Sequence, residues 1–166
     1  MHPMVIVSGG QTGADRAALD VAIELAIPHR GWVPRGRLAE DGVLAPRYRL
    51  AETPMANPAQ RTEWNVRDSE ATLIVSHGAL SGGSALTERL AHRYGRPCLH
   101  LDFSAESPAV AFTSLTRWLV SGGFATLNVA GPRASEDPAI HAAAHVLLRR
   151  VLSSSSPPAG AGGVHD

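Results

Sequence analysis

"VIVSGGQTGADRAALDVA" spans residues 5–22. An apolar run stops at a glycine pair, a polar loop follows, and then comes a stretch dense in Ala and Leu. The order reads as a strand, a phosphate-type loop and a helix. Gly9 and Gly10 permit positive φ and a close approach of a ligand to the backbone. Thr12 is placed to cap the helix, with Asp15 three residues on as its capping-box partner. The helix N-terminus would then offer free N–H groups and partial positive charge to an anion. The stretch is neither G-x-G-x-x-G nor G-x-x-x-x-G-K, and alone it fits a well-capped turn that binds nothing about as well.

Three further segments resemble the first strand: "ATLIVS" (71–76), "PCLHL" (97–101) and "ATLNVA" (125–130). Such short apolar runs suit a parallel sheet buried on both faces. Helical stretches are expected at 14–26, 61–70, 84–94 and 138–152, and another after the Ser107–Pro108 cap as far as Gly122. In the first of these, Arg16, Asp20 and Glu24 form one narrow polar stripe expected to face water, with Arg16 pairing to Asp20. The alternation argues for an open α/β sheet with right-handed crossovers. Residues 27–60 hold five of the 12 prolines and show few clear elements. Short strands are expected near Gly31–Val33 and Tyr48–Glu52, with functional loop between. Residues 1–152 are read as one ligand-binding domain and the Ser/Pro/Gly-rich 153–166 as a disordered tail.

The sheet argument gathers three glycine-bearing loops at one edge, because ligands of open α/β sheets bind beyond the carboxyl ends of the strands. Loop one, "SGGQTGAD" (8–15), supplies Gly9, Gly10, Gln11, Thr12, Gly13 and Asp15. Loop two, "SHGALSGGSALT" (76–87), supplies Gly82, Gly83, Ser84 and Thr87. Loop three, "AGPRASEDP" (130–138), supplies Gly131, Arg133 and Ser135, with Asp137 and Pro138 as cap and first helical residue. Backbone N–H groups, hydroxyls and one arginine are the groups that hold phosphate. The three together point to a phosphorylated small-molecule ligand.

Composition removes other classes. All 15 basic residues are arginine. A P-loop NTPase needs its lysine on the phosphates and a pyridoxal enzyme needs one for its Schiff base, so both are excluded. A formal net charge of zero gives no general pull on nucleic acid or an anionic membrane, and neither is an expected partner. No apolar run approaches the roughly 20 residues of a membrane span. The N-terminus lacks the pattern of a signal peptide, and the single Cys98 excludes an internal disulfide framework. A cytoplasmic protein is expected, with self-association to a homo-oligomer left open.

"SGGQTGADRAALDVA", "RTEWNVRDSEATLIVSHGALSGGSALTERLA" and "NVAGPRAS" together resemble the family of proposed molybdenum-cofactor carriers. That family is a circularly permuted branch of the Rossmann-like superfamily that includes the lysine-decarboxylase-like phosphoribohydrolases and the DNA-processing DprA proteins. The resemblance covers about residues 4 to 151. It implies a Rossmann-like open, mostly parallel sheet with helices on both faces. It also implies a nucleotide- or pterin-like ligand, the molybdenum cofactor or a nucleotide, and a place near the site for Arg61 and Asn65. The phosphoribohydrolases carry P-G-G-x-G-T-x-x-E, whose glutamate does chemistry. Here "SGGSALTER" puts Thr87 in that place in one register and Arg89 in the other, and Glu88 in neither. A binder, carrier or sensor is therefore preferred to a nucleotide hydrolase, which would need a carboxylate (Asp15, Asp41 or Glu88) or a histidine in reach. An interaction module that binds no ligand is the third reading.

Other residues admit ordinary roles. Arg35, Arg37, Asp41 and Gly42 could close over a ligand or belong to a solvated loop. Trp32 could stack on a flat ring but suits a core as well. His141 and His145 have metal-like i, i+4 spacing without a third ligand, so no metal is expected. His77 is a general-base candidate by position, with nothing in the sequence to orient it. Asp68 and Ser69 suit a cap or turn, and Cys98 a buried, inert thiol.

Overall fold

The computed structural model describes residues 4–153. In chain order it contains β1 (Val5–Val7), α1 (Ala14–Glu24), β2 (His29–Arg30), β3 (Trp32–Val33), β4 (Leu38–Ala39), β5 (Gly42–Val43), β6 (Ala51–Glu52), α2 (Pro58–Arg67), β7 (Ala71–Ser76), α3 (Gly82–Arg93), β8 (Cys98–Asp102), α4 (Pro108–Gly122), β9 (Thr126–Ala130) and α5 (Ile140–Ser153). Five strands form one parallel sheet in the order β2-β1-β9-β7-β8. The register sets Ile6 beside Leu127 and Thr72 beside both Asn128 and Cys98. The result is the expected α/β, Rossmann-like architecture.

β1, β7 and β9 are buried along nearly their whole length because both faces of the sheet are covered there. Ile6, Leu73, Val75, Leu127 and Val129 pack with Ala18, Val21, Leu115, Leu119, Ala144 and Leu148 from α1, α4 and α5. A smaller cluster of Val66, Leu90 and Ala91 joins α2 to α3. Ser107 caps α4 by accepting from the Val110 N–H at 3.2 Å, and Gly123, in the left-handed region at φ 58°, ends that helix. α2 begins earlier than the 61–70 stretch because Asn57 accepts from the Ala59 N–H at 2.9 Å and Pro58 fits the first turn. The expectation for the tail falls, apart from Ser153 in α5, outside the described residues.

Residues 27–60 hold the two short strands expected near Gly31–Val33 and Tyr48–Glu52, as β3 and β6, but a hairpin stands where only loop was expected between them. β2 extends the main sheet, β3 and β6 pair in parallel, and β4 and β5 form an antiparallel hairpin. Val33, Leu44, Tyr48 and Leu50 pack around Leu19 of α1 as a second core, which fixes the segment. The polar stripe of α1 meets partners from other segments, while Glu24 also stays exposed to water as expected. Arg16 donates to both carboxylate oxygens of Asp41, at 3.0 and 3.1 Å, and to the Gly10 carbonyl. Asp20 accepts from the Tyr48 hydroxyl at 2.5 Å and lies 3.0 Å from His141 Nε2. Glu24 lies 2.9 Å from His145 Nε2 and accepts from Arg149. The two histidines thus tie α5 to α1. Cys98 is partly exposed, and burial with the Glu88 charge pushes its thiol up to about 11, so it stays protonated at neutral pH.

Candidate functional site

β1, β7 and β9 lie side by side, so the loops that follow them open at one edge of the sheet. Between these loops and α2 is a cleft of about 330 Å³. Gly9, Gln11 and Asp15 line it from loop one; Gly82, Gly83, Ser84 and Thr87 from the start of α3; Gly131 and Arg133 from loop three. α2 adds Arg61, Thr62 and Asn65, so the pair that the resemblance placed near the site stands in its wall. Arg61 Nη1 donates to the Gly9 carbonyl at 2.7 Å, while the Asn65 side chain exchanges hydrogen bonds with the Trp32 backbone at 2.8 and 3.0 Å. The Trp32 indole N–H donates to Asp68 at 2.8 Å, and the ring meets Trp64 edge-on, away from the cleft.

Gly10, Thr12, Gly13 and Ser135 lie outside this lining. Gly13 takes the N-cap position of α1 at φ 80°, without a capping side chain. A Cβ there would come within 2.3 Å of the Pro132 carbonyl oxygen. Loop one therefore packs directly on loop three, and the expected Thr12 cap does not form. The Thr12 hydroxyl donates instead to Glu40 and accepts from the Ala134 N–H at 3.0 Å. Asp15 turns back into its own loop, where Oδ2 accepts from the Gln11 N–H at 3.3 Å. Burial pushes its carboxyl up to about 6, against the opposing pull of Arg61, the Gln11 N–H and Arg16.

The two registers for the missing glutamate separate in space. Thr87 lines the cleft, with Oγ1 donating to the Gly83 carbonyl at 2.8 Å, whereas Arg89 and Glu88 do not line it. Of the carboxylates weighed for hydrolysis, Asp15 is in the wall and Asp41 is held by Arg16. His77 acquires the orientation that the sequence could not supply: Nδ1 lies 2.6 Å from Asp137 Oδ2, and Phe103 packs edge-on against the ring. The pair lines a side pocket of about 100 Å³ that shares Ser84, Pro132 and Glu136 with the main cleft. Among the described residues no group of three or more His, Cys, Asp or Glu side chains is placed to hold a metal ion. No helix among them is long and apolar enough to cross a membrane.

Gly83 differs from the glycines packed against the chain. It is the second residue of α3 and, as at Gly82, a Cβ added there would meet nothing within 4 Å. At Gly131 the same atom would lie 2.5 Å from the Val75 carbonyl oxygen. Packing of the chain thus accounts for glycine at 131 but not at 83.

A crystal structure described as a putative molybdenum carrier protein from Syntrophus aciditrophicus SB superposes with a TM-score of 0.88 at 54% sequence identity, over 90% of this chain and 94% of that one. No curated protein matches the chain. The family model described as "Circularly permutated YpsA SLOG family" matches residues 6–152. With a match of that extent, on a parallel sheet of this order, the chain belongs to the circularly permutated YpsA SLOG family.

Proposed function

We propose that the cleft binds a phosphorylated, nucleotide- or pterin-like small molecule and that the protein acts as a carrier or sensor of it, with the molybdenum cofactor as the candidate cargo beside a nucleotide; the similar crystal structure is described as a putative molybdenum carrier protein. The observation that carries this reading is Gly83. Glycine costs about 1 kcal/mol against alanine in a helix interior, an upper bound for Gly83 in the first turn, and nothing in the chain forbids a Cβ at that position. A ligand lying against the backbone is the remaining steric reason for a bare Cα. The surroundings suit a phosphate: the Ser84 hydroxyl, the free N–H groups at the start of α3, and Arg133 across the cleft. At about 330 Å³ the cleft is at the lower end of the ~300–1,000 Å³ range of small-molecule sites. The flat ring would lie toward α2, between Pro58, Ala59 and Leu86.

Gly83→Val tests the reading. The branched side chain would project into the cleft and leave the sheet untouched. Binding of AMP, or of a pterin monophosphate, measured by calorimetry is expected to disappear while the far-ultraviolet circular dichroism stays unchanged. Unaltered affinity in the folded variant would remove loop two from the site.

A hydrolase acting on nucleotides is the second reading, favoured by one observation, the His77–Asp137 pair beside the cleft. A carboxylate-oriented imidazole is a competent general base near neutral pH.

A further inference from the structure

Glu40 stands at the tip of the β4–β5 hairpin, far in sequence from the three loops, yet its carboxylate is surrounded by their donors. Oε1 accepts from the Thr12 hydroxyl and from the Ser135 N–H at 3.0 Å. Oε2 accepts from the Ser135 hydroxyl at 2.6 Å and lies 3.7 Å from Arg133 Nε. Two hydroxyls, one backbone N–H and one guanidinium converge on a single anion. That donor set is the usual one for a phosphate or another tetrahedral oxyanion. These groups hold the Glu40 carboxyl well below the usual carboxylate range, the Ser135 hydroxyl first among them.

The hairpin tip is attached by polar contacts. Besides Glu40, Asp41 pairs with Arg16, and Gln11 Oε1 accepts from the Glu40 N–H at 2.9 Å. Its flanking apolar residues add little, since Leu38 is 64% and Val43 72% exposed. A dianionic phosphate brings more charge than a carboxylate, and one more acceptor oxygen. Arg133 also lines the main cleft, so the donor set adjoins it.

We propose that Thr12, Arg133 and Ser135 form an oxyanion subsite beside the main cleft, closed in this structure by the Glu40 carboxylate, and that the terminal phosphate of a ligand with two phosphates displaces Glu40 to occupy it. The proposal rests on the reading of the cleft as a phosphate-ligand site: one phosphate lies at the start of α3 and the subsite takes the second, as in a nucleoside diphosphate. Glu40 is then an intramolecular competitor: the apparent affinity of the ligand is reduced by the fraction of molecules in which the tip is lifted.

The test is titration of the full-length protein with inorganic phosphate and with ADP at pH 7.5, followed by ³¹P line broadening and calorimetry. Glu40→Ala is expected to raise affinity for both anions about tenfold, as removal of a competitor that closes the site in nine molecules of ten would. Adding Ser135→Ala to Glu40→Ala is expected to abolish that gain. Glu40→Gln, which keeps the shape and removes the charge, is expected to give a smaller gain in the same direction and serves if the alanine variant fails to fold. ADP binding that is unchanged or weaker in a folded Glu40 variant would overturn the proposal and make Glu40 a staple between loops. If AMP binding is also lost in Gly83→Val, the cleft reading survives that result. If no variant binds either anion, both readings fall together.

Discussion

Asp15→Asn should stabilise the protein at neutral pH and not in acid. The Asp15 carboxyl is raised from 3.8 to about 6, with burial as the main cause. Between those values the native protein keeps a proton that the unfolded chain has released. Wild-type stability therefore falls as pH rises through that window, and the loss is complete above about 6. Each pH unit between the two values corresponds to about 1.4 kcal/mol, so the full penalty is about 3 kcal/mol. Asparagine does not titrate, and its side-chain oxygen can still accept from the Gln11 N–H, the contact Asp15 makes at 3.3 Å. Other titrating groups act equally in both proteins and cancel in the difference. Urea unfolding of the two proteins at pH 4, 5, 6 and 7.5 is expected to show a difference near its minimum at pH 4. It should widen in favour of the asparagine variant to as much as about 3 kcal/mol by pH 7.5. A difference independent of pH, or a wild type gaining on the variant as pH rises, would show that Arg61 and Arg16 outweigh burial and that the carboxylate belongs in its site as an ion.

Arg133→Ala should weaken AMP binding by about 1.5–3 kcal/mol, the usual range for a charged hydrogen bond; a calorimetric loss below about 0.5 kcal/mol would leave the side chain as a partner of Glu136 alone. Chromatography of AMP, GMP and CMP incubated with micromolar protein should show no appreciable release of base or ribose 5-phosphate. Turnover above about 1 per second, within the ordinary enzyme range, would reverse the order of the two readings, and its loss in His77→Ala would identify the base.

The parts of the fold written as apolar runs were legible. β1, β7 and β9 are continuous because the sheet is covered on both faces, and the loops after them had to share an edge. The second core was not, since strands of two residues carry no period and Leu44, Tyr48 and Leu50 are scattered among prolines. A signal for the β4–β5 hairpin did exist in the Asp41–Gly42 pair, a common hairpin-turn dipeptide, and it leads directly to Glu40. The capping box failed for a tertiary reason: Gly13 is needed where loop one touches Pro132, which releases Thr12 to face Glu40. The wet stripe on α1 failed similarly at Arg16 and Asp20, because helix periodicity marks polar positions without saying whether water or another segment meets them.

The placement of proton acceptors bears on which reading the cleft favours. Thr87, which one register sets against the glutamate of the phosphoribohydrolases, gives its hydroxyl proton to the Gly83 carbonyl. A hydroxyl so engaged can accept a hydrogen bond from a ligand but cannot take up a proton near neutral pH. Asp15 has a suitable affinity for protons, yet its Oδ2 is occupied by the Gln11 N–H. His77 and its aspartate line the side pocket and do not line the main cleft. Around the two glycines that open α3 the chain thus offers hydroxyls and N–H groups, while its bases are engaged or stand to one side. Hydrolysis would need one of those bases within reach of the reacting atom, whereas donors that grip ligand and transition state equally give affinity without rate. The cleft so read suits a molecule that is held and released unchanged, which is why the carrier reading is preferred over the hydrolase.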